Sequence, residues 1–181
     1  MIRMTLAEIA KAIDGRLLDT SAAGIEVTGS VETDSRLIAA GSLFVAKPGE
    51  HTDGHNFLAA ARLGGAVAAI VEHPVDDELA QIQVGDAVLA LGRLAKHVLA
   101  ELKAAGNLRV IGITGSNGKT TTKNMLREIL STAGETIAPI ESYNNEVGAP
   151  YSMLRCTTET RFLVAEMGAG GVGSIAYLAE I

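Results

Sequence analysis

Gly112-Ile113-Thr114-Gly115-Ser116-Asn117-Gly118-Lys119-Thr120-Thr121 lies between an apolar run, Arg109–Ile113, and a stretch of helical periodicity, Lys119–Ala133. A glycine-rich turn from strand into helix is the setting in which backbone amides cradle phosphate. The glycines let the chain turn tightly with its amides inward, and the helix N-terminus adds partial positive charge. In that reading Gly115, Ser116, Asn117, Gly118, Lys119, Thr120 and Thr121 surround phosphate groups. Lys119 reaches the β- and γ-phosphates and Thr120 gives a hydroxyl to Mg²⁺. Asn117 is a residue type that tolerates left-handed backbone. The generic pattern asks for glycine at position 113, where isoleucine stands, with Gly112 and Gly115 on either side. A glycine turn with an incidental lysine is the alternative, and the Gly118-Lys119-Thr120 core in its strand-to-helix setting argues against it.

Downstream, Gly134 ends the helix and Thr136–Ala138 predicts a strand. Gly148–Leu154 predicts a helix that tolerates Pro150 only in its first turn. Phe162–Ala165 reads as a buried strand delivering Glu166 at its carboxyl end. Phosphoryl transfer needs a carboxylate at a neighbouring strand end to hold Mg²⁺ or its water. The chain has no aspartate after Asp86, so Glu166 is the acid that a core strand places there. Its alternative is an ordinary surface glutamate. The glycine-rich Met167–Gly173 segment leads into a last helix.

Upstream, Gly106-Asn107 marks a boundary between residues 1–106 and 107–181. Thr5 and Glu8 form a capping-box pattern ahead of Leu6, Ile9, Ala10 and Ile13, with Gly15 closing the helix. Ile25–Val31 alternates like a strand, and Leu43–Ala46 is another, ended by Pro48-Gly49. A helix from about Asn56 to Leu63 stops at Gly64-Gly65, and Ala66–Val71 and Ala80–Val84 follow as strands. Asp86 caps a long helix carrying Val88, Leu91, Leu94, Val98 and Leu102 on one face. The alternation predicts an α/β protein: a small α/β domain, then the start of a P-loop parallel-sheet domain. A βαβαβ unit that stops after its third strand leaves apolar edges without neighbours. The expectation is the front part of a longer chain, with the remaining sheet following in that same chain; a sheet completed by another chain is the alternative.

Composition narrows the function. Lys plus Arg total 15 against 21 Asp plus Glu, a net charge of −6 over 181 residues. That balance lacks the basic footprint of a nucleic-acid or anionic-membrane binder. Aromatics at 3%, with no tryptophan, argue against a stacking platform for single strands. Cys156 is alone, so it forms no internal disulfide and reads as a packing residue. The N-terminus shows no signal-peptide pattern, and Gly65–Val71 and Ala87–Leu91 are far too short to span a membrane. A cytoplasmic protein without nucleic-acid binding or membrane insertion is expected. His51, His55, His73 and His97 show no metal-ligand spacing. Asp34-Ser35-Arg36, Asp53-Gly54-His55 and Tyr143-Asn144-Asn145-Glu146 are polar clusters that spacing alone leaves open between turn and site.

Taken together these motifs resemble the ATP-dependent Mur ligases of peptidoglycan synthesis. The Gly112–Thr122 segment, including Asn117, is similar to their ATP loop. Asp34-Ser35-Arg36, Gly41–Ala46, Gly49, Asp53-Gly54-His55 and Gly65-Ala66 resemble their first domain. Lys123, the run Asn144-Asn145-Glu146-Val147-Gly148 with Pro150, and Glu166-Met167-Gly168-Ala169 resemble the type that adds D-alanyl-D-alanine. The resemblance implies that residues 1–106 bind the UDP substrate and that residues 107–181 begin an ATPase domain. It implies ATP and Mg²⁺ as cofactors, with UDP-MurNAc-tripeptide and D-Ala-D-Ala as substrates. By it, Lys119 and Glu166 are catalytic, Thr120 and Glu166 serve the metal, and Ser35 and Arg36 lie near the uridine diphosphate. Asp53 and His55 lie close to that group, while Asn144 and Asn145 face the muramoyl peptide or the nucleotide. It also implies that this stretch alone does not catalyse ligation.

Three rivals remain at this stage. A sister ligase adding diaminopimelate or lysine shares most of these motifs. A generic P-loop NTPase gives no reason for the first 100 residues. A non-catalytic nucleotide-sugar binding module predicts UDP-ligand binding with no ATP binding.

Overall fold

Thr5 opens the first helix as its spacing predicts. In the computed structural model the Glu8 amide donates to Thr5 Oγ1 at 3.3 Å, and the Thr5 amide donates to Glu8 Oε2 at 2.8 Å. This reciprocal cap starts α1 (Leu6–Ala12), which buries Leu6, Ile9 and Ala10. The structure describes residues 1–49, 52–106, 108–139 and 143–181; His51 and Asn107 of the sequence reading lie outside the described residues. The chain divides into two units, Met1–Leu94 and Ala95–Ile181. The division falls inside α3 (Ala87–Ala104), ahead of the Gly106-Asn107 position that composition suggested.

The first unit is built on a five-stranded sheet in the order β2-β7-β6-β5-β4. Its strands are β2 (Arg16–Leu17), β4 (Val31–Glu32), β5 (Ser42–Val45), β6 (Ala66–Val71) and β7 (Ala80–Gln83). All neighbours are parallel except the β2–β7 pair. A small antiparallel pair, β1 (Met4–Thr5) and β3 (Glu26–Val27), stands apart from it. Between β5 and β6 runs α2 (Leu58–Gly64), ended by Gly65 at φ +104°. Phe44, Ala46, Leu58, Ala61, Ala69, Val71 and Leu79 form a buried cluster between helix and sheet. Each large apolar side chain buried there contributes roughly 1.5–3 kcal/mol.

The predicted strand Ile25–Val31 is two strands in different sheets. Thr28 and Gly29 both donate their amides to the Gly41 carbonyl, at 3.2 and 2.9 Å, which turns the chain between β3 and β4. A β-carbon on Gly29 would sit 2.7 Å from the Ser42 nitrogen and 2.9 Å from the Ala40 oxygen. Close backbone approach, which side-chain alternation does not report, breaks the strand there.

The second unit carries a parallel three-stranded sheet in the order β8-β10-β9. Its elements are β8 (Arg109–Ile113), α4 (Lys119–Ser131), β9 (Glu135–Ile137), α5 (Gly148–Met153), β10 (Thr160–Glu166) and α6 (Ser174–Glu180). Leu126 and Leu130 of α4 pack on Ile113, Ala138 and Val164, which fixes the helix across the sheet. Among the described residues no helix is long and apolar enough to cross a membrane.

Candidate functional site

In the second unit, parallel pairing sets Glu166 opposite Ile113, and the Met167 amide donates to the Ile113 carbonyl at 2.8 Å. The register therefore places the last residue of β10 beside the point where β8 enters the glycine turn. Glu166 is 1% exposed. The turn takes positive φ at Gly115 (+148°) and Gly118 (+78°), and α4 begins at the next residue. Asn117 is not among the residues at positive φ; the left-handed positions fall on the glycines. Gly118 has nothing within 4 Å of where a β-carbon would stand, so backbone conformation, not space, calls for glycine there.

Lys119 folds back on this turn, its Nζ donating to the Gly115 carbonyl at 2.7 Å. The Thr120 hydroxyl donates to Glu166 Oε2 at 3.2 Å and to Oε1 at 3.4 Å. Ser116, Asn117 and Thr121 are exposed. One residue that the sequence reading used only for resemblance sits at the centre of the cluster. Lys123 is 2% exposed, donates to the Pro139 carbonyl at 3.0 Å, and lies 3.9 Å from Glu166 Oε2. Its position three residues after Thr120 puts both on one helix face, which is the signal that could have found it.

Asn144 joins the cluster: its Nδ2 donates to Glu166 Oε1 at 2.9 Å, and its carbonyl accepts from the Gly168 amide at 2.7 Å. Asn145 does not join it through its side-chain oxygen, which caps α5 by accepting from the Val147 and Gly148 amides at 3.3 and 2.8 Å. Ser174 donates to Glu146 at 2.8 Å, tying the start of α6 to the same loop and holding the Glu146 carboxyl below its ordinary pKa, after a larger backbone effect. The Thr120 hydroxyl and the Glu166 carboxylate are hard oxygen donors of the kind a small divalent cation takes. The amides that open the 13-residue α4 suit an anion.

In the first unit a cavity of about 460 Å³ is lined by Thr33, Asp34, Ser35, Arg36, Phe44, Lys47, Gly49, Thr52, Gly54 and Phe57. Asp34 caps the short 3₁₀ turn Ser35–Leu37, accepting from the Arg36 amide at 2.9 Å. The Arg36 guanidinium pairs with the same carboxylate at 2.6 Å and holds its pKa down at about 2. Ser35, Arg36 and Lys47 thus bring polar and basic groups to an apolar floor at Phe44.

Asp53 and His55, expected close to the uridine diphosphate, do not line this cavity, although Gly54 between them does. Asp53 caps the 3₁₀ turn Gly54–Phe57, and His55 is 4% exposed. His55 Nδ1 lies 2.6 Å from Asp53 Oδ1, and the Glu72 amide donates to His55 Nε2 at 2.9 Å. The ring stacks on His73 at 4.0 Å, a juxtaposition that sequence spacing gave no hint of. Cys156 is fully buried, and burial pushes its thiol up to about 12, which fits packing and not nucleophilic chemistry.

Comparison with known proteins bears on both units. Residues 27–110 match the family model described as Mur ligase family, catalytic domain, and residues 113–181 match the Mur ligase middle domain. The UDP-N-acetylmuramoyl-tripeptide–D-alanyl-D-alanine ligase of Mycobacterium leprae is 43% identical over 205 residues, covering 100% of this chain and 40% of the relative. A crystal structure of MurF from Acinetobacter baumannii superposes with a TM-score of 0.87 at 37% identity, covering 98% of this chain and 38% of that one. MurF ligase from Thermotoga maritima, solved in complex with ADP, gives 0.72 at 34% identity, over 85% of this chain and 35% of that one. The chain therefore spans about 40% of the length of such relatives.

Proposed function

Because the chain belongs to the Mur ligase family, we propose that it forms the nucleotide-binding portions of an ATP-dependent amide ligase. The ligase joins D-alanyl-D-alanine to UDP-MurNAc-tripeptide in peptidoglycan precursor synthesis. Residues 1–106 take the uridine diphosphate end of the peptide substrate, and residues 107–181 take the phosphates of ATP. The compartment of the reaction is the cytoplasm, which supplies the ATP.

One observation carries the ATP half of this reading: the Thr120 hydroxyl and the buried Glu166 carboxylate meet at 3.2 Å beside a glycine turn that also carries Lys119. Thr120 and Glu166 are the residues that would hold Mg²⁺, which when bound offsets charge on the transferred phosphoryl group. The turn's amides orient the phosphates, and Lys119 exchanges its Gly115 carbonyl for the β,γ-phosphate oxygens. In the reaction the terminal carboxylate of the tripeptide attacks the γ-phosphorus, giving an acyl phosphate and ADP. The amine of D-Ala-D-Ala then attacks the acyl carbon, phosphate leaves, and an amide remains. Asn144 fixes the rotation of Glu166 from one side and Lys123 from the other. Ser35, Arg36 and Lys47 supply the polar groups that suit a diphosphate in the first unit's cavity.

Calorimetric titration tests the two halves separately. UDP-MurNAc-tripeptide and Mg·ATP are each expected to bind. Binding of the UDP compound without Mg·ATP would favour a nucleotide-sugar binding module, and binding of neither would reject the reading.

A further inference from the structure

Asp53, His55 and His73 bring three potential ligand atoms within 4.8 Å of one another, an arrangement that invites a metal ion. The hydrogen bonds of His55 argue against one. The Glu72 nitrogen is a backbone amide and can only donate, so His55 Nε2 faces it with a lone pair. The ring's proton is then on Nδ1, directed at Asp53 Oδ1 2.6 Å away. A metal on Nδ1 would move that proton to Nε2, against the Glu72 N–H. Both nitrogens are committed; the His73 ring stacks on His55 15° from parallel, and its Nε2 stands 3.8 Å from Asp53 Oδ2.

What the arrangement does instead follows from where its ends are attached. Glu72 directly follows β6, inside the five-stranded sheet, and its carboxylate is used elsewhere, accepting from the Ala87 amide at the start of α3 at 2.9 Å. Asp53 is paired across the base of a turn with Pro48, and the Gly54 amide donates to the Lys47 carbonyl at 3.1 Å. A β-carbon on Gly54 would stand 2.6 Å from that carbonyl oxygen, so the two arms of the turn touch backbone to backbone. Lys47, Gly49, Thr52 and Gly54 from these arms line the cavity that also holds Ser35 and Arg36. His55 is thus a strut between the sheet and the wall: its Nε2 is fixed to the end of β6, and its Nδ1 to the residue that closes the turn.

We propose that His55 is a positioning residue for the uridine diphosphate end of the substrate, held as the neutral Nδ1–H tautomer so that the wall formed by Lys47, Gly49, Thr52 and Gly54 is built before the ligand arrives. The proposal rests on the reading that this cavity takes that nucleotide. His55 makes no contact with ligand in this role; it acts through Asp53 and the turn. Pre-building the wall removes an ordering cost that binding would otherwise bear.

The test combines a spectroscopic signature with a pair of affinities. In protein labelled with ¹⁵N in its imidazole rings, two-bond ¹H–¹⁵N correlations at neutral pH are expected to show His55 protonated on Nδ1 alone. A proton on Nε2 overturns the proposal whatever the variants do. UDP and Mg·ATP are then titrated into wild type, His55→Phe and His55→Gln. The phenylalanine removes both ring hydrogen bonds and is expected to weaken UDP binding roughly tenfold, with Mg·ATP affinity within about twofold of wild type. The glutamine restores an acceptor for the Glu72 amide and should recover most of the loss. UDP affinity unchanged in His55→Phe contradicts the proposal, and so does an equal loss for both ligands, which marks general unfolding. Failure of wild type to bind UDP would instead sink the reading of the cavity on which the proposal rests.

Discussion

Thr120 Oγ1 and Glu166 Oε2 lie 3.2 Å apart although 46 residues separate them in the chain. The β8–β10 register brings them together, because Glu166 pairs with Ile113 at the mouth of the glycine turn and Thr120 is the second residue of α4. Glu166 also faces the buried Lys123 ammonium at 3.9 Å. Charge at this position therefore has two roles, one toward a cation and one toward the fold.

Glu166→Gln separates those roles. Losing a carboxylate donor should weaken Mg²⁺-dependent ATP binding by at least about tenfold. It also leaves the Lys123 charge opposite a neutral amide, which should cost on the order of 3 kcal/mol of stability. Calorimetry at several Mg²⁺ concentrations measures the first, and denaturant unfolding the second. Retained Mg²⁺ dependence would remove Glu166 from the site.

In the full-length ligase proposed above, Lys119→Ala should abolish most ATP-dependent turnover while leaving UDP-substrate affinity in the first unit within about twofold, since the Lys119 ammonium bonds the Gly115 carbonyl of its own turn. Steady-state kinetics alongside UDP-substrate titration reads both. Turnover near wild type would show that the glycine turn is not the phosphate site.

Stability at acid pH reports on Asp34. Its carboxyl sits at about 2, chiefly because of the Arg36 guanidinium and then the Arg36 amide. The folded value lies below the unfolded value of ~3.9, so the stabilisation is complete above about pH 4 and disappears as pH falls through about 2. Asp34→Asn should flatten the thermal-unfolding midpoint across that window. A midpoint that falls there as steeply as in wild type would mean other carboxylates carry the effect.

Gly65 ends α2 at φ +104°, and a β-carbon there would lie 2.9 Å from the Ala40 Cα. Gly65→Ala should cost about 1–2 kcal/mol from backbone conformation alone, a fall of roughly 2–8 °C in the unfolding midpoint. Gly24→Ala is the control, since nothing lies within 4 Å of its β-carbon position and its φ is not positive. Equal effects at the two positions would contradict the cap assignment.

Local signals in the sequence marked much of this fold. Thr5 and Glu8 announced α1, Asp86 announced α3 and accepts from the Leu89 amide at 2.8 Å, and the two glycines after Leu63 announced the end of α2. Each depends on neighbours within a turn of helix, which sequence displays directly. What stayed hidden depends on contacts between distant segments. The break at Gly29 follows from the nearness of Ser42, and β2 is a two-residue strand defined only by its pairing with β7. The burial of Lys123 follows from where Pro139 and Glu166 stand, and the cap made by Asn145 follows from where α5 begins. His55 stood in the sequence within an Asp53-Gly54-His55 cluster that spacing left open between turn and site; its other partners, Glu72 and His73, come from the end of a strand 17 residues away.

The central claim is tested most directly by phosphate release from ATP with the complete protein. UDP-MurNAc-tripeptide is supplied with D-Ala-D-Ala added or omitted. Release that requires both compounds is the predicted result. Release that requires instead a UDP-MurNAc-dipeptide and a diamino acid would assign the sister activity, and no release with either set would contradict the account.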